Sequence, residues 1–352
     1  MAFASCSKQE SASAERVVSA LLPLSGDFAF LGEPGRYALE IAAEKMKEEE
    51  IPLRFKLHDT KADPKEAVTI LRREQDINGR NIFIVTLSGP SLAVREALSG
   101  ESALMLSVAI HPDLPSTNAP IIRFCASATQ EATMLAERLE GTGNPVALVV
   151  SRDPATTFQV NNHLLPALKA ANKEIAFVEW FDVGNKDFKN LSAKLAGTAT
   201  KEIVLLGYGS DFPGALEAIS QARGTRPTTV YGGIGFAELA GKPGGMDEID
   251  ITAVVPAFYI DDSLPGVTEF KADYKAKSGK PAPYDAAFTY DAAITLGQLI
   301  QSGVNTPDEM LRNLRGRTLT GVTGTIRIGD DGEATTDLRW ATLSKSGLEP
   351  TK

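Results

Sequence analysis

The hydrophobic pattern of the chain alternates between short apolar runs and longer amphipathic stretches from residue 15 onwards. The first run, residues 17–22, predicts a buried strand that Pro23 and Gly26 bring to an end. Apolar positions spaced along one face then recur after Gly32 and predict a helix. A strand, a polar loop and a helix are the first unit of an open α/β sheet.

The same unit repeats up to residue 123. Predicted strands at residues 54–59, 82–85 and 104–108 alternate with a helix that starts at Asp63-Pro64 and another at 92–98. This alternation predicts a parallel sheet that is covered by helices on both faces.

The alternation restarts near residue 130. Strands are predicted at 146–150, 175–181, 203–206, 229–231 and 251–257, with helices between them. Three helices (267–277, 285–301 and 307–314) and two late strands (324–328 and 338–343) follow. We therefore expect an α/β fold with two doubly wound, flavodoxin-like lobes. The second lobe repeats the fold of the first without repeating its sequence.

Length and charge agree with this picture. A chain of 352 residues is long for one core, and a net charge of −9 argues against nucleic-acid binding, which needs a basic face. The three histidines are scattered, and neither a nucleophile elbow nor a phosphate-binding loop is present. We accordingly expect no metal, no cofactor and no catalytic activity, and a monomer.

A resemblance comes from short motifs that occur in order along the chain. Pro-Leu-Ser-Gly-Asp-Phe-Ala-Phe-Leu-Gly at 23–32 resembles the opening signature of type I periplasmic binding proteins, in particular the leucine/isoleucine/valine-binding family of ABC-transporter receptors. Further matches are His58-Asp59-Thr60, Ile122-Arg123-Phe124, Gly207-Tyr208-Gly209 and Tyr290-Asp291-Ala292. The resemblance implies a three-stranded hinge between the lobes. Crossings near 124, 255–256 and 322–324 give a first lobe of 15–123 plus 257–322 and a second of 124–256 plus 323–352.

The resemblance also implies a function. The chain would be an extracellular or periplasmic receptor that closes on a small carboxylate, amino acid or amide and delivers it to an ABC permease. A sensory or regulatory module of the same fold is the alternative, and a hydrolase on a doubly wound fold is a further one. Residues 1–14 are interpreted as a signal remnant or lipoprotein tether. Phe3-Ala4-Ser5-Cys6 loosely resembles a lipidation motif, with a chance cysteine in a frayed terminus as the other interpretation.

The expected ligand site lies at the carboxyl ends of the strands of both lobes. By resemblance, Ser88 and the 109–111 loop would hold a ligand carboxylate, while Phe28 and Phe30 would form an apolar wall. A turn-capping serine, an exposed loop histidine and plain core packing remain the alternatives for these residues. The full predicted set is Ser25, Phe28, Phe30, Ser88, Gly89, Ser107, Val108, Ala109 and His111 from the first lobe, and Phe158, Tyr208, Ile234 and Gly235 from the second.

One departure from the family bears on the ligand. The acidic residue that the family uses for a ligand ammonium is expected within 232–235, where this chain has Ile234. A buried ammonium without a carboxylate partner is costly. The expectation is therefore a ligand other than a standard α-amino acid, such as an aromatic or aliphatic carboxylate or a small amide, unless Asp153 or Asp211 substitutes.

Overall fold

The computed structural model describes residues 15–26, 28–98, 102–239 and 241–351. The first lobe begins with one parallel sheet in the order β2-β1-β3-β4-β5. Its strands are β1 (Arg16–Leu22), β2 (Leu53–Asp59), β3 (Ile82–Thr86), β4 (Leu104–Val108) and β5 (Ile121–Arg123). The connecting helices are α1 (Ala29–Glu48), α2 (Pro64–Arg72), which a π-helical turn (Arg73–Ile77) extends, and α3 (Ser88–Leu98).

The second lobe repeats this arrangement. Its parallel strands are β6 (Val146–Ser151), β7 (Ile175–Phe181), β8 (Glu202–Leu206), β9 (Thr228–Gly232) and β10 (Ile249–Pro256), in the order β7-β6-β8-β9-β10. The helices are α4 (Ala128–Glu140), α5 (Pro154–Gln159), α6 (Leu165–Ala170), α7 (Lys189–Ala196) and α8 (Phe212–Arg223), with a π-helical turn (Val160–Leu164) between α5 and α6 and a 3₁₀ turn (Ile234–Glu238) after β9. Both strand orders follow the flavodoxin-like pattern.

After β10 and a 3₁₀ turn (Ala257–Tyr259), the chain returns to the first lobe. Helices α9 (Val267–Ser278), α10 (Tyr284–Gln301) and α11 (Pro307–Leu314) lead into a small antiparallel sheet of β11 (Thr318–Gly321), β12 (Gly324–Ile328) and β13 (Ala334–Thr336). Strands β14 (Leu338–Ser344) and β15 (Gly347–Pro350) then complete the second sheet, with β14 antiparallel to β10. The predicted α/β fold with two doubly wound lobes is thereby confirmed.

Local sequence signals explain where the helices begin. The Asp63 side chain accepts a hydrogen bond from the Lys65 backbone N–H at 2.7 Å, and Pro64 is the first residue of α2, as the sequence predicts. Helix α11 starts with a capping box in which Thr306 and Glu309 each accept the other's backbone N–H. These caps satisfy donors that have no partner inside the helix.

The hydrophobic cores show which segment belongs to which lobe. Ile326, Ile328 and Ala334 pack in the same buried cluster as the first-lobe strands, whereas Ala341 and Leu343 pack with the second sheet. The sequence expectation assigns residues 323–352 to the second lobe. We propose instead to place the third crossing at 336–338, where the Asp337 carbonyl accepts the Ala257 N–H at 2.8 Å and so joins two crossing segments.

Three short antiparallel strands, β11, β13 and β15, are absent from the sequence prediction. Each has three or four residues and is partly exposed, so its apolar positions are too few to give a period. Cys125 is buried and unpaired within the described residues, and burial raises the pKa of its thiol to about 12, so the thiol stays protonated and inert at neutral pH. Cys6 lies outside the described residues. Within the described ranges, no helix combines the length and apolar character that crossing a membrane requires.

Candidate functional site

A cavity of about 60 Å³ lies where the strand ends of the second lobe face the first lobe. Strands β6, β8 and β9 end at its walls, which is where open parallel sheets place their ligands. The first lobe closes it with Ile110 and, at the start of α10, Tyr284. The remaining lining residues are Glu131, Asp153, Thr156, Gln159, Leu206, Gly207, Tyr208, Phe212, Gly233, Ile234, Gly235 and Glu238.

Asp153 follows β6 and caps α5. Its Oδ1 accepts hydrogen bonds from the backbone N–H groups of Ala155 and Thr156, both at 3.0 Å. Its Oδ2 is buried and accepts no hydrogen bond within the described part of the chain. The carboxylate is thus fixed in position by one oxygen, and its second oxygen is unsatisfied beside the cavity.

Glu131 reaches the cavity from α4 and is held by two neutral donors. Its oxygens accept from the Gln159 side-chain amide at 3.1 Å and from the Ile234 backbone N–H at 3.2 Å. Gly233 leaves the room for this contact, because a Cβ atom there would lie 2.1 Å from Glu131 Oε1. Burial raises the pKa of Glu131, with the two hydrogen bonds acting in the opposite direction. A carboxylate therefore lies beside Ile234, although residue 234 itself is apolar.

Tyr208 and Glu238 form the wall that follows β8. Glu238 Oε2 accepts the Gly209 backbone N–H at 3.0 Å, which ties the 3₁₀ turn after β9 to this loop. Burial raises the pKa of the Tyr208 hydroxyl, and the nearby carboxylates, Asp153 first among them, add to that shift. The phenol therefore stays protonated and can donate a hydrogen bond to a ligand.

Three of the thirteen predicted site residues line the cavity: Tyr208, Ile234 and Gly235. Two others meet across the lobes. The His111 imidazole and the Phe158 ring have centroids 4.6 Å apart, and His111 Nδ1 accepts the Asp113 N–H at 3.3 Å. Burial is the main cause of the lowered pKa of His111, which keeps this imidazole neutral at neutral pH.

The predicted serines of the first lobe bond mainly to their own lobe. Ser25 Oγ donates to Asp59 Oδ2 at 2.5 Å, and the buried Ser107 hydroxyl donates to Ser91 Oγ at 3.1 Å. Ser88 is the first residue of α3, and Gly89 next to it faces Pro64. Val108 and Ala109 are buried at the end of β4. The backbone groups of this region stay candidates for a ligand carboxylate.

The two predicted aromatic wall residues lie on the surface. Phe28 is 47% exposed and Phe30 is 59% exposed at the start of α1, and neither lines the cavity. The apolar surface beside the cavity comes instead from Ile110, Leu206 and Phe212.

Arg123, at the end of β5, supports the first-lobe loop from behind. Its guanidinium is fully buried and donates to the carbonyls of Ala109 and His111 (2.6 Å for the latter) and to Glu333 Oε1 at 2.8 Å. This arginine therefore fixes the backbone between β4 and β5 that faces the second lobe. Sequence reasoning noted Arg123 only as part of a motif and missed this role.

Sequence reasoning also missed the cavity residues Glu131, Gln159, Glu238 and Tyr284. All four lie on helical segments, where a polar side chain is ordinarily a solvated surface group. The available signal was the pair Gly232-Gly233, since adjacent glycines at a strand end permit the close approach of another side chain. Among the described residues, no group of three or more His, Cys, Asp or Glu could hold a metal ion.

Comparison with known proteins identifies the family. The model of the "Periplasmic binding protein" family matches residues 17–347, which is nearly the whole chain. The chain belongs to the periplasmic binding protein family. Among curated relatives of this periplasmic binding protein, the leucine-specific-binding protein of Salmonella typhimurium is 24% identical over 284 residues, which cover 78% of this chain and 75% of the relative.

Solved structures support the same fold. The solute binding protein of an ABC transporter from Rhodopseudomonas palustris BisB5, in complex with 3,4-dihydroxy benzoic acid, has a TM-score of 0.78 at 14% identity, covering 95% of this chain and 94% of that one. The branched-chain amino acid transporter substrate binding protein LivJ from Streptococcus pneumoniae, in complex with isoleucine, has a TM-score of 0.75 at 17% identity, covering 96% and 99%. The resemblance noted in the sequence is thereby confirmed. The family and these relatives are binding proteins.

Proposed function

We propose that this periplasmic binding protein is the solute receptor of an ABC importer. The observation that carries the proposal is the cavity itself, which strand-end loops of the second lobe form and Ile110 and Tyr284 of the first lobe cover. A ligand in that position touches both lobes only when they are together. One relative is a leucine-specific-binding protein, and two others are complexes with isoleucine and with 3,4-dihydroxy benzoic acid, which supports a small polar organic solute as the cargo.

The proposed mechanism is a shift between open and closed forms. A ligand that contacts both lobes binds the closed form better and so increases its population, which the permease then recognises. The first-lobe side is fixed by Arg123, whereas the second-lobe side presents Tyr208 and the carboxylates. The protein acts in the periplasm or at the cell surface and leaves its cargo chemically unchanged.

A ligand screen tests this function. Purified protein is heated with single amino acids, amines, aromatic acids or amides, and a ligand at a hundredfold excess over its Kd raises the unfolding free energy by about 2.7 kcal/mol. Small-angle scattering then measures whether the same compound reduces the radius of gyration. We expect one compound to raise the thermal stability and to reduce the radius of gyration. Mass spectrometry should show that this compound is chemically unchanged. Thermal stabilisation without compaction, or recovery of a reaction product, would contradict it.

A further inference from the structure

The described walls of the interlobe cavity contain carboxyl groups and no compensating cation. Three of the residues that line it are carboxylates, Glu131, Asp153 and Glu238, and the described lining includes no lysine, arginine or histidine. The hydrogen bonds that these carboxylates accept come from neutral donors, namely backbone N–H groups and the Gln159 amide.

Two further carboxylates stand behind the lining. Asp211 is buried, and its Oδ1 accepts the Gly184 N–H at 2.8 Å while its Oδ2 has no partner within the described residues. Asp285 follows the lining residue Tyr284 in the first turn of α10. None of the five carboxylates forms an ion pair within the described part of the chain.

The pKa values of these carboxyl groups are raised, as expected where carboxylates lie together without a cation. Burial raises the pKa of Asp285 to about 7, and Glu238 adds to the shift. Burial also raises the pKa of Asp211, and the charge of Asp153 adds to that shift. The pKa of Glu238 is raised by burial and by the charge of Asp211. Burial lowers the pKa of the neighbouring His111, which is neutral at neutral pH. No cation among the described residues offsets these shifts, so Asp211, Glu238 and Asp285 are easier to protonate than in water.

The unsatisfied oxygen of Asp153 indicates the chemistry of a ligand that would fit the cavity. An isolated buried carboxylate oxygen is costly, and a ligand that donates to it with a positive charge removes much of that cost. The carboxylates surround the cavity from three segments and do not converge as metal ligands, since the described residues include no cluster that could hold a metal. Aromatic side chains (Tyr208, Phe212 and Tyr284) complete the walls, and such rings also attract organic cations.

We propose that the cavity binds the ammonium end of a small organic amine whose net charge is positive. This inference rests on the proposed receptor function and names its substrate class. A free carboxylate, including a benzoate, would meet like charges at this end of the cleft. The ammonium of a zwitterionic amino acid is attracted by the second-lobe carboxylates. Its carboxylate, however, has to lie against the first-lobe loop, where backbone N–H groups and neutral His111 are the donors. We therefore expect affinity to be highest for the amine, lower for the amino acid and lowest for the carboxylate.

Calorimetric titration with four compounds of one carbon skeleton tests the selection. The probes are 4-methylpentan-1-amine, leucine, 4-methylpentanamide and 4-methylpentanoate, which differ mainly in charge. The amine is expected to bind at least about tenfold more tightly than the carboxylate. Repeating the amine titration in buffers of different ionisation enthalpy should show proton release, because a bound cation favours the ionised carboxylates.

A matched pair of variants locates the effect. Asp153→Asn retains a good helix cap but removes the charge, and it should weaken amine binding by about tenfold or more. Asp182→Asn removes an exposed carboxylate of the same lobe and should leave binding unchanged. Equal or tighter binding of the carboxylate, proton uptake on amine binding, or no amine binding at millimolar concentration would each overturn the proposal. The receptor function fails separately, when no compound of the wider screen closes the lobes.

Discussion

The centroid of the Phe158 ring lies 4.6 Å from that of the His111 imidazole, at an interplanar angle of 43°, and this pair connects the second lobe to the first beside the interlobe cavity. Phe158 lies in α5, which follows β6, and His111 lies in the loop after β4, so the two residues are 47 positions apart in sequence. An aromatic contact of this kind joins the two lobes, so in the proposed equilibrium between open and closed forms it would favour the closed form.

Replacing Phe158 by leucine tests that contact. Phe158→Leu retains apolar bulk but loses the ring pair, which is worth about 0.5–1.5 kcal/mol, so ligand affinity should fall roughly two- to tenfold. The measurement is calorimetric titration with the ligand found in the screen. Phe30→Leu is the control and should leave affinity unchanged, because Phe30 is exposed away from the cavity lining. An equal loss of ligand affinity in both variants would indicate that Phe30 contacts the ligand, as the sequence predicts.

Gly233→Ala should disturb the site from within. The new Cβ atom would lie 2.1 Å from Glu131 Oε1, the oxygen that accepts from the Gln159 amide, so the Glu131 carboxylate has to move and loses that hydrogen bond. We expect a stability loss of about 1–3 kcal/mol and a loss of ligand affinity of roughly tenfold. Urea unfolding and titration measure the two effects. Gly244→Ala has open space around its Cβ position and should change neither quantity. Tight ligand binding by Gly233→Ala would show that Glu131 is not part of the site.

Arg123→Lys should destabilise the first lobe although it keeps the charge. Lysine cannot reach the loop carbonyls and Glu333 at once, and breaking such a buried network costs about 2–4 kcal/mol. Denaturant unfolding measures the change. Arg54→Lys, which alters a half-exposed ion pair with Glu15, should stay within about 0.5 kcal/mol of the wild type. If the two substitutions lower the free energy of unfolding by the same amount, Arg123 does not hold the loop.

His58 should make folding stability depend on pH. Burial lowers the pKa of its imidazole to about 4, and the cations Lys56, Arg73 and Arg80 add to this against the opposing effect of Glu74. Because the unfolded chain takes up the proton first, near pH 6.5, the free energy of unfolding should fall as the pH drops from 6.5 to 4. The total from this group is at most about 3 kcal/mol. His58→Gln should flatten the unfolding free energy over this pH range, and an unchanged slope would contradict the assignment.

The fold was predictable from sequence because long apolar strands alternate with amphipathic helices. Strand β4 and helix α11 have the predicted bounds, and Asp63 caps α2 as expected. The third crossing was harder to place, since the short strands β11 to β13 show no clear period and their lobe depends on packing partners such as Ile326.

The site was less predictable than the fold. Tyr208, Ile234 and Gly235 follow strand ends, which sequence locates well, and they line the cavity. Glu131 and Tyr284 reach it from helices, so only the tertiary arrangement reveals them. Ser107 stays a prediction, and its hydroxyl donates to Ser91 in its own lobe, a contact that a strand-end position alone does not reveal.

The most direct test of the account is a crystal structure of the protein with the compound that gives the largest thermal shift. We expect the compound to lie between the lobes, with its polar atoms within hydrogen-bonding distance of Asp153 and Tyr208, and with Ile110 and Tyr284 covering it. Electron density for the compound at any other position, with the interlobe cavity unchanged, would contradict the account.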